Sequence, residues 1–276
     1  MKTKIVKRTG EAELFDPEKL CSSIIKAGAS ENLTQQVCSI VSDSIDSGMS
    51  TEKIFNLTRR YLMEFDPGLA AIYSLDRGLS ALGPSGFIFE QYVSAMFTEM
   101  GYKSSTSHYV QGEAVQHEVD VVAEKGNVVF VVEAKYRNDF KSKTHINQVM
   151  YADARIQDIQ RRARQDGDTR EYYMWVVTNT RFTDNAINYV SKRDVQLLGW
   201  DFPKYINLKK IAYEKKLWPV TVLPSITKSV LKQCAREHLL LVRHLHPMTP
   251  QELQKRFNIN ERLAKKLEQE VLELMF

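Results

Sequence analysis

Two stretches of this chain set charged residues into apolar surroundings. An aspartate interrupts the run Val119-Asp120-Val121-Val122, and the run from Val128 to Val132 ends in Glu133-Ala134-Lys135. Side chains alternate along a strand, so Glu133 and Lys135 emerge on one face. If the two runs pair as strands, Asp120 and Glu133 converge. Two unpaired carboxylates so close repel unless a cation lies between them. A hard divalent ion is the natural remedy, since Mg²⁺ (or Mn²⁺) takes one or two carboxylates together with water and a substrate phosphate. That set suits metal-assisted phosphodiester hydrolysis, with Lys135 orienting or deprotonating the attacking water or stabilising charge on the phosphate.

The elements around these residues agree with such a site. Phe87 to Met100 reads as a helix with an apolar stripe of Phe89, Tyr92, Val93, Met96 and Met100, and Glu90 sits at its rim, pointing the same way as Phe97. Gly101 stops this helix. Tyr102 to Val110, Glu118 to Ala123 and Val128 to Tyr136 follow as three strands. A helix over Thr144–Arg164, a strand over Tyr172–Thr178, a helix over Asp184–Val190 and a strand over Val195–Leu198 complete the pattern. This order predicts a mixed sheet covered by helices. From Lys135 to Arg170 there are nine Lys/Arg against five Asp/Glu, a surface fit for a phosphate backbone.

Upstream, Lys4 to Arg8 and Glu11 to Phe15 flank a Thr9-Gly10 turn and read as a hairpin. Asp16 caps a helix over Pro17–Ala27, and helices over 31–45, 51–65 and 67–82 follow. Lys7 and Arg8 on the strand and Lys19 one turn into the helix are three cations that can converge on phosphate oxygens. Gly83-Pro84-Ser85-Gly86 is the clearest linker.

The C-terminal quarter differs in charge. Residues 1–82 and 83–205 each carry a net −1, whereas 206–276 carry +6, with 13 Lys/Arg against 7 Asp/Glu. A helix is expected from Ile226 to Leu245, a second from Thr249-Pro250, and a last over Glu261–Leu274, forming a hairpin that would either hold nucleic-acid backbone or cap a domain. The three cysteines, Cys21, Cys38 and Cys234, show no paired spacing and read as small buried hydrophobes. No apolar run approaches the ~18 to 20 residues of a membrane span, and Met1 to Gly10 lacks a signal-peptide core, which places the protein in the cytoplasm.

Two resemblances sharpen these expectations. KIVKRTGEAELFDPEKLCSSIIKA, with the later LAAIYSLDRGL, resembles the ATP-cone, the nucleotide-sensing domain best known from ribonucleotide reductases and their repressor. The resemblance spans 1–82 and implies that Lys7, Arg8 and Lys19 hold the triphosphate of ATP or dATP while Val6, Phe15 and Ile24 enclose the base. Thr9 departs from the acidic residue common before Gly10. GFIFEQYVSAMFTEMGY, HEVDVV and VVFVVEAKY look like the restriction-endonuclease fold, within it the Mrr-like group, whose signature is PD-(D/E)-x-K.

This second resemblance implies that Asp120 and Glu133 bind the metal, that Lys135 is the signature lysine and that Glu90 is the first-helix glutamate. It also makes Gln148, near Tyr151 on the following helix, a residue that orients the substrate phosphate. Glu118-Val119 stand where the signature has its proline, a position that supplies no ligand.

The expected fold class is multidomain α+β and α/β: an ATP-cone (1–82), a restriction-endonuclease-like mixed sheet flanked by helices (86–205) and a basic helical region (206–276). The expected activity is Mg²⁺-dependent DNA endonuclease cleavage tuned by ATP or dATP, in a homo-oligomer, a dimer supplying the two active sites of a double-strand cut. The rivals are a nucleotide-responsive DNA-binding regulator without catalysis and an RNA or repair nuclease of the same fold.

Overall fold

The structure is a computed structural model that describes residues 3–7, 10–81, 86–137, 139 and 142–275. Arg8 and Thr9, and Gly83-Pro84-Ser85 of the expected linker, lie outside the described residues. The chain divides into two compact units, 1–76 and 77–275.

In the first unit β1 (Lys4–Val6) and β2 (Ala12–Leu14) pair antiparallel, with Ile5 opposite Glu13. Asp16 caps α1 (Pro17–Ala27) by accepting from Glu18 N, and Gly28 ends it with φ 107°, a backbone state that glycine adopts without strain. α2 (Glu31–Asp43), α3 (Thr51–Phe65) and α4 (Pro67–Ser80) follow, the first two capped by Ser30 and Ser50 and the last running on past the boundary at residue 76. Their buried residues include Ile24, Val37, Val41, Leu62 and Leu75. Cys21 and Cys38 are joined in a disulfide between α1 and α2, with Cα atoms 5.6 Å apart. This corrects the reading of all three cysteines as separate hydrophobes; a sequence separation of 17 conceals a contact that only helix packing creates. Cys234 is free and buried, and burial pushes its thiol up to about 12.

The second unit is built on a five-stranded sheet in the order β3-β4-β5-β7-β9. α5 (Gly86–Glu99) leads into β3 (Lys103–Gln111), β4 (Gln116–Lys125) and β5 (Val128–Lys135), an antiparallel meander. After β6 (Lys143–Thr144) and α6 (Ile146–Gln165), β7 (Glu171–Thr178) pairs parallel to β5. β8 (Arg181–Phe182), α7 (Asp184–Val190) and β9 (Val195–Leu198) follow, β9 parallel to β7. The fold is thus mixed α+β, with a mixed sheet. β6 and β8 form a small parallel ladder too short for any periodicity to reveal.

Val119, Val131, Val149, Ile156, Met174 and Val176 form the core between sheet and α6. β5 is apolar for five residues because both of its faces are covered, as parallel-type strands require.

The C-terminal residues pack into this same unit as α8 (Leu208–Glu214), a short 3-10 turn (Val220–Val222), α9 (Lys228–Arg236), α10 (Val242–Leu245), α11 (Pro250–Phe257) and α12 (Glu261–Met275). The single helix expected over 226–245 is broken. His238 takes a left-handed φ of 56°, and Leu239 to Leu241 leave the helix so that Leu240 O accepts from Val220 N at 2.9 Å. Burial of Leu240 and Leu241, 1% and 0% exposed, outweighs helix continuation.

Tyr92 of α5 is wholly buried and donates its hydroxyl to Leu217 O at 3.0 Å. Tyr92→Phe leaves that carbonyl without its partner and is expected to lower stability by about 1–2 kcal/mol, read as a reduced urea midpoint. An unchanged midpoint would show that the bond contributes nothing net.

Candidate active site

The site begins with a break in strand pairing. β4 pairs with β5 from Val121↔Val132 to Lys125↔Val128, and Asp120 is the first residue past the last rung. On its other side β3 skips the same level: Thr106 pairs Val121 and His108 pairs Val119, while Ser107 between them has φ 59°. Asp120 therefore sits where β4 is released from both neighbours. Its Oδ2 accepts the N–H of Ala134 at 2.7 Å, so a side chain takes the place of a missing ladder partner.

Glu133 and Lys135 flank Ala134 and emerge beside that carboxylate. Lys135 is ion-paired with Glu133 Oε1, and its Nζ lies 3.9 Å from Asp120 Oδ2. Glu133 is only 6% exposed. Its second oxygen pairs with Arg155 of α6, a residue that the sequence analysis did not single out. Arg155 also lies over the Tyr151 ring, 4.9 Å from its centroid. Gln148, Tyr151, Arg155 and Asp158 follow one another at helical spacing along one stripe of α6, a pattern that could have flagged Arg155.

Burial pushes Glu90 up to about 7, aided by the negative charge of Asp120, Glu133 and Glu118 and opposed by Lys135. Burial raises Asp120 as well, with Glu133 adding to the effect. Four carboxylates thus crowd one region. Gln148 accepts from Arg137 at 2.6 Å, and Arg137 N is held by Asn179 Oδ1 at 2.8 Å, so Gln148 belongs to the strand-end network rather than touching Asp120 or Glu133.

A groove of about 710 Å³ opens here, lined by Glu118, Asp120, Glu133, Tyr151, Arg155 and Asp158 among others. His117 also lines it, and its Nε2 bonds Asp158 Oδ2 at 2.8 Å. Asp158 further accepts from Ala114 N at 3.0 Å and Val115 N at 3.4 Å, and the His117 bond leads the effects that hold its carboxyl down at about 2. It ties the β3–β4 turn to α6, a role invisible without the fold.

Among the described residues no three His, Cys, Asp or Glu side chains converge closely enough to hold a metal ion by themselves. The donor set nevertheless fits Mg²⁺, which needs one or two protein carboxylates and fills its octahedron with water and phosphate oxygens. The raised Glu90 and Asp120 mark an excess of negative charge that such an ion would relieve.

In the first unit the expected nucleotide residues are dispersed in role. Lys7 pairs with Glu13 at 3.2 Å and Glu11 at 3.7 Å, and Lys19 lies 3.9 Å from Asp16. Val6 and Phe15 are half-buried, while Ile24 lies fully inside the helical core. Arg8 is outside the described residues.

A mixed sheet flanked by helices, with an acidic cluster where β4 parts from β5, defines a restriction-endonuclease-like fold. Comparison with known proteins extends this. Residues 3–80 match the ATP cone domain family and residues 83–202 the Mrr-type restriction endonuclease family. The chain is 31% identical over 151 residues to an uncharacterized protein of Archaeoglobus fulgidus, covering 55% of this chain and 82% of that one. It also superposes on the crystal structure of a protein of unknown function, AF1548, with a TM-score of 0.58 and 27% identity, over 69% of this chain and 98% of the other. The chain thus joins an ATP cone domain over residues 3–80 to a restriction endonuclease domain over residues 83–202.

Because the folded state raises the Glu90 pKa, it binds the Glu90 proton more tightly than the unfolded chain does. This group's contribution to stability therefore falls as pH rises from about 4.5 to about 7. Glu90→Gln removes that loss. After discounting for solvent screening, the variant should gain about 1 kcal/mol on wild type between pH 5 and pH 8 in metal-free buffer, measured by urea unfolding. A difference that does not vary with pH would refute a burial-raised Glu90.

Proposed function

We propose that the protein is a metal-dependent DNA endonuclease whose activity is tuned by ATP or dATP bound to the N-terminal unit. The observation that carries this reading is the fixing of Asp120 by Ala134 N–H beside Glu133 and Lys135, at the wall of an open groove. A Mg²⁺ ion held by Asp120 and Glu133 would set positive charge against the scissile phosphate and make water a competent nucleophile near neutral pH.

This chain's own residues do the rest. Asp120 is anchored through one oxygen, so its orientation is set before substrate arrives. Lys135 places its ammonium between the two carboxylates, where it can turn towards phosphate oxygens and hold charge as it develops. Arg155 neutralises Glu133 until a metal ion competes for it. Glu90, protonated in part at neutral pH, sits beside the cluster as a proton donor or acceptor for water. Tyr151 and Gln148 border the phosphate path on α6.

The occupation of Glu133 by both Lys135 and Arg155 favours one second reading, a nucleotide-responsive DNA-binding regulator in which these pairs are permanent. Incubation of purified protein with Mg²⁺ or Mn²⁺ and plasmid or branched DNA separates the two. Cleavage should fall at least about a hundredfold in Glu133→Ala and in Lys135→Ala. Cleavage that persists in both variants would sink the site assignment, and salt-dependent binding without cleavage would establish the regulator.

For the N-terminal unit, ATP affinity measured by titration calorimetry should drop about tenfold or more when Lys7 and Arg8 are both replaced by alanine. Unchanged affinity would remove these residues from the phosphate site.

A further inference from the structure

Strands β5, β7 and β9 run parallel and finish at one edge of the sheet, Lys135 level with Thr178 and Val177 with Leu198. The chain leaving β9 therefore crosses the same edge at which the Asp120 cluster lies.

This connection, residues 199–207, is firmly anchored. Gly199 N donates to Phe202 O at 2.7 Å, Trp200 N to Thr180 O at 2.7 Å and Leu208 N to Gly199 O at 2.9 Å. The Phe202 ring packs on Phe182 with centroids 6.3 Å apart, and Asn207 both caps α8 and donates to Pro203 O at 3.3 Å. Yet its tip turns large apolar side chains outward: Tyr205 is 78% exposed and Ile206 60%. A well-held backbone that leaves these groups in water forgoes their burial energy, a pattern that marks recognition surfaces. Lys204 Nζ and Lys210 Nζ lie 5.7 and 5.9 Å from the centroid of the Tyr205 ring. Both ammonium groups lie over the ring, so a base that stacks on the π face displaces a flexible lysine side chain, which then reaches an adjacent phosphate.

We propose that the Lys204–Ile206 tip is a DNA-contacting wedge, Tyr205 stacking on a base and Lys204 and Lys210 holding the backbone beside it. The assignment rests on the reading of the chain as a DNA nuclease, and it names a residue cluster outside the acidic site as a determinant of binding.

The test measures binding of the full-length protein, in EDTA, to a fluorescent duplex in which 2-aminopurine is moved one position at a time. Wild type should change the 2-aminopurine signal at one or two positions, and Tyr205→Ala with Ile206→Ala should abolish that change and weaken binding about tenfold or more, while Tyr205→Phe keeps both. Replacing Lys204 and Lys210 by Gln should reduce the salt dependence of log Kd by about 2. Circular dichroism melts report whether each variant is folded.

Wild-type affinity and an unaltered 2-aminopurine profile in the folded double alanine variant would overturn the proposal, and with cleavage intact the nuclease reading would stand. Tyr205-dependent binding with no cleavage under any divalent metal would support the wedge and sink the nuclease reading instead.

Discussion

The hydrogen bond from Ala134 N–H to the Asp120 carboxylate is the constraint on which this site depends. A regular antiparallel ladder would carry β4 and β5 on together and bury both strands' polar groups in pairing. Here the ladder stops at Val121↔Val132, and the next donor of β5 would be orphaned inside the protein, at a cost comparable to a lost hydrogen bond. Asp120 accepts it. One carboxylate thus satisfies the strand end, orients itself, and holds open the notch through which Glu133, paired with Lys135, faces the groove. The turn of Ser107 into positive φ on β3 releases Asp120 from its other neighbour at the same level, so both strand departures serve a single residue.

That arrangement concentrates negative charge in a region with little water, and the cations around it follow from this. Glu133, 6% exposed, would be untenable alone; Lys135 from its own strand and Arg155 from α6 each take one of its oxygens. Asp120 has the Lys135 ammonium at a longer distance, and Glu90 has no comparable partner among the described residues, so the unbalanced charge shows itself in Glu90 and Asp120. α6 is therefore a structural half of the site. Its apolar face, with Val149, Ala152, Ile156 and Ile159, holds it on the sheet, and its neighbouring face delivers Tyr151, Arg155 and Asp158 to the groove.

What the sequence made legible was whatever depends on local periodicity. The helix over Pro17–Ala27 follows from Asp16 and Pro17, and the buried strand from the unbroken run Val128–Val132. Asp120, Glu133 and Lys135 could be paired because adjacent strands joined by a tight turn leave few registers. Arg155 and the His117–Asp158 pair escaped because their partners lie 22 and 41 residues away, and no spacing rule links a helix stripe to a strand end across such a distance. The disulfide between Cys21 and Cys38 escaped for the same reason. The break at His238 was missed because Leu239–Leu241 are good helix formers individually; what removes them from the helix is a tertiary core they cannot announce.

The C-terminal segment shows how a charge count and a packing role coexist. By composition it carries +6, which alone suggests a detached basic module. The structure instead ties it into the unit that holds the sheet. Trp218 and Leu241 are buried, Tyr92 of α5 bonds Leu217 O, and Glu270 of α12 accepts from both the N–H and the hydroxyl of Ser225. An amphipathic helix needs its apolar face for such packing, so the surplus cations can lie only on the other: Arg262, Lys265 and Lys266 are all exposed on α12. The net charge is therefore a property of the outer faces of helices whose inner faces stabilise the sheet. In the proposed reading, a polyanion drawn to those faces would be drawn to the same compact unit that carries Asp120 and Glu133, and long-range attraction would aid encounter without requiring a separate DNA-binding domain.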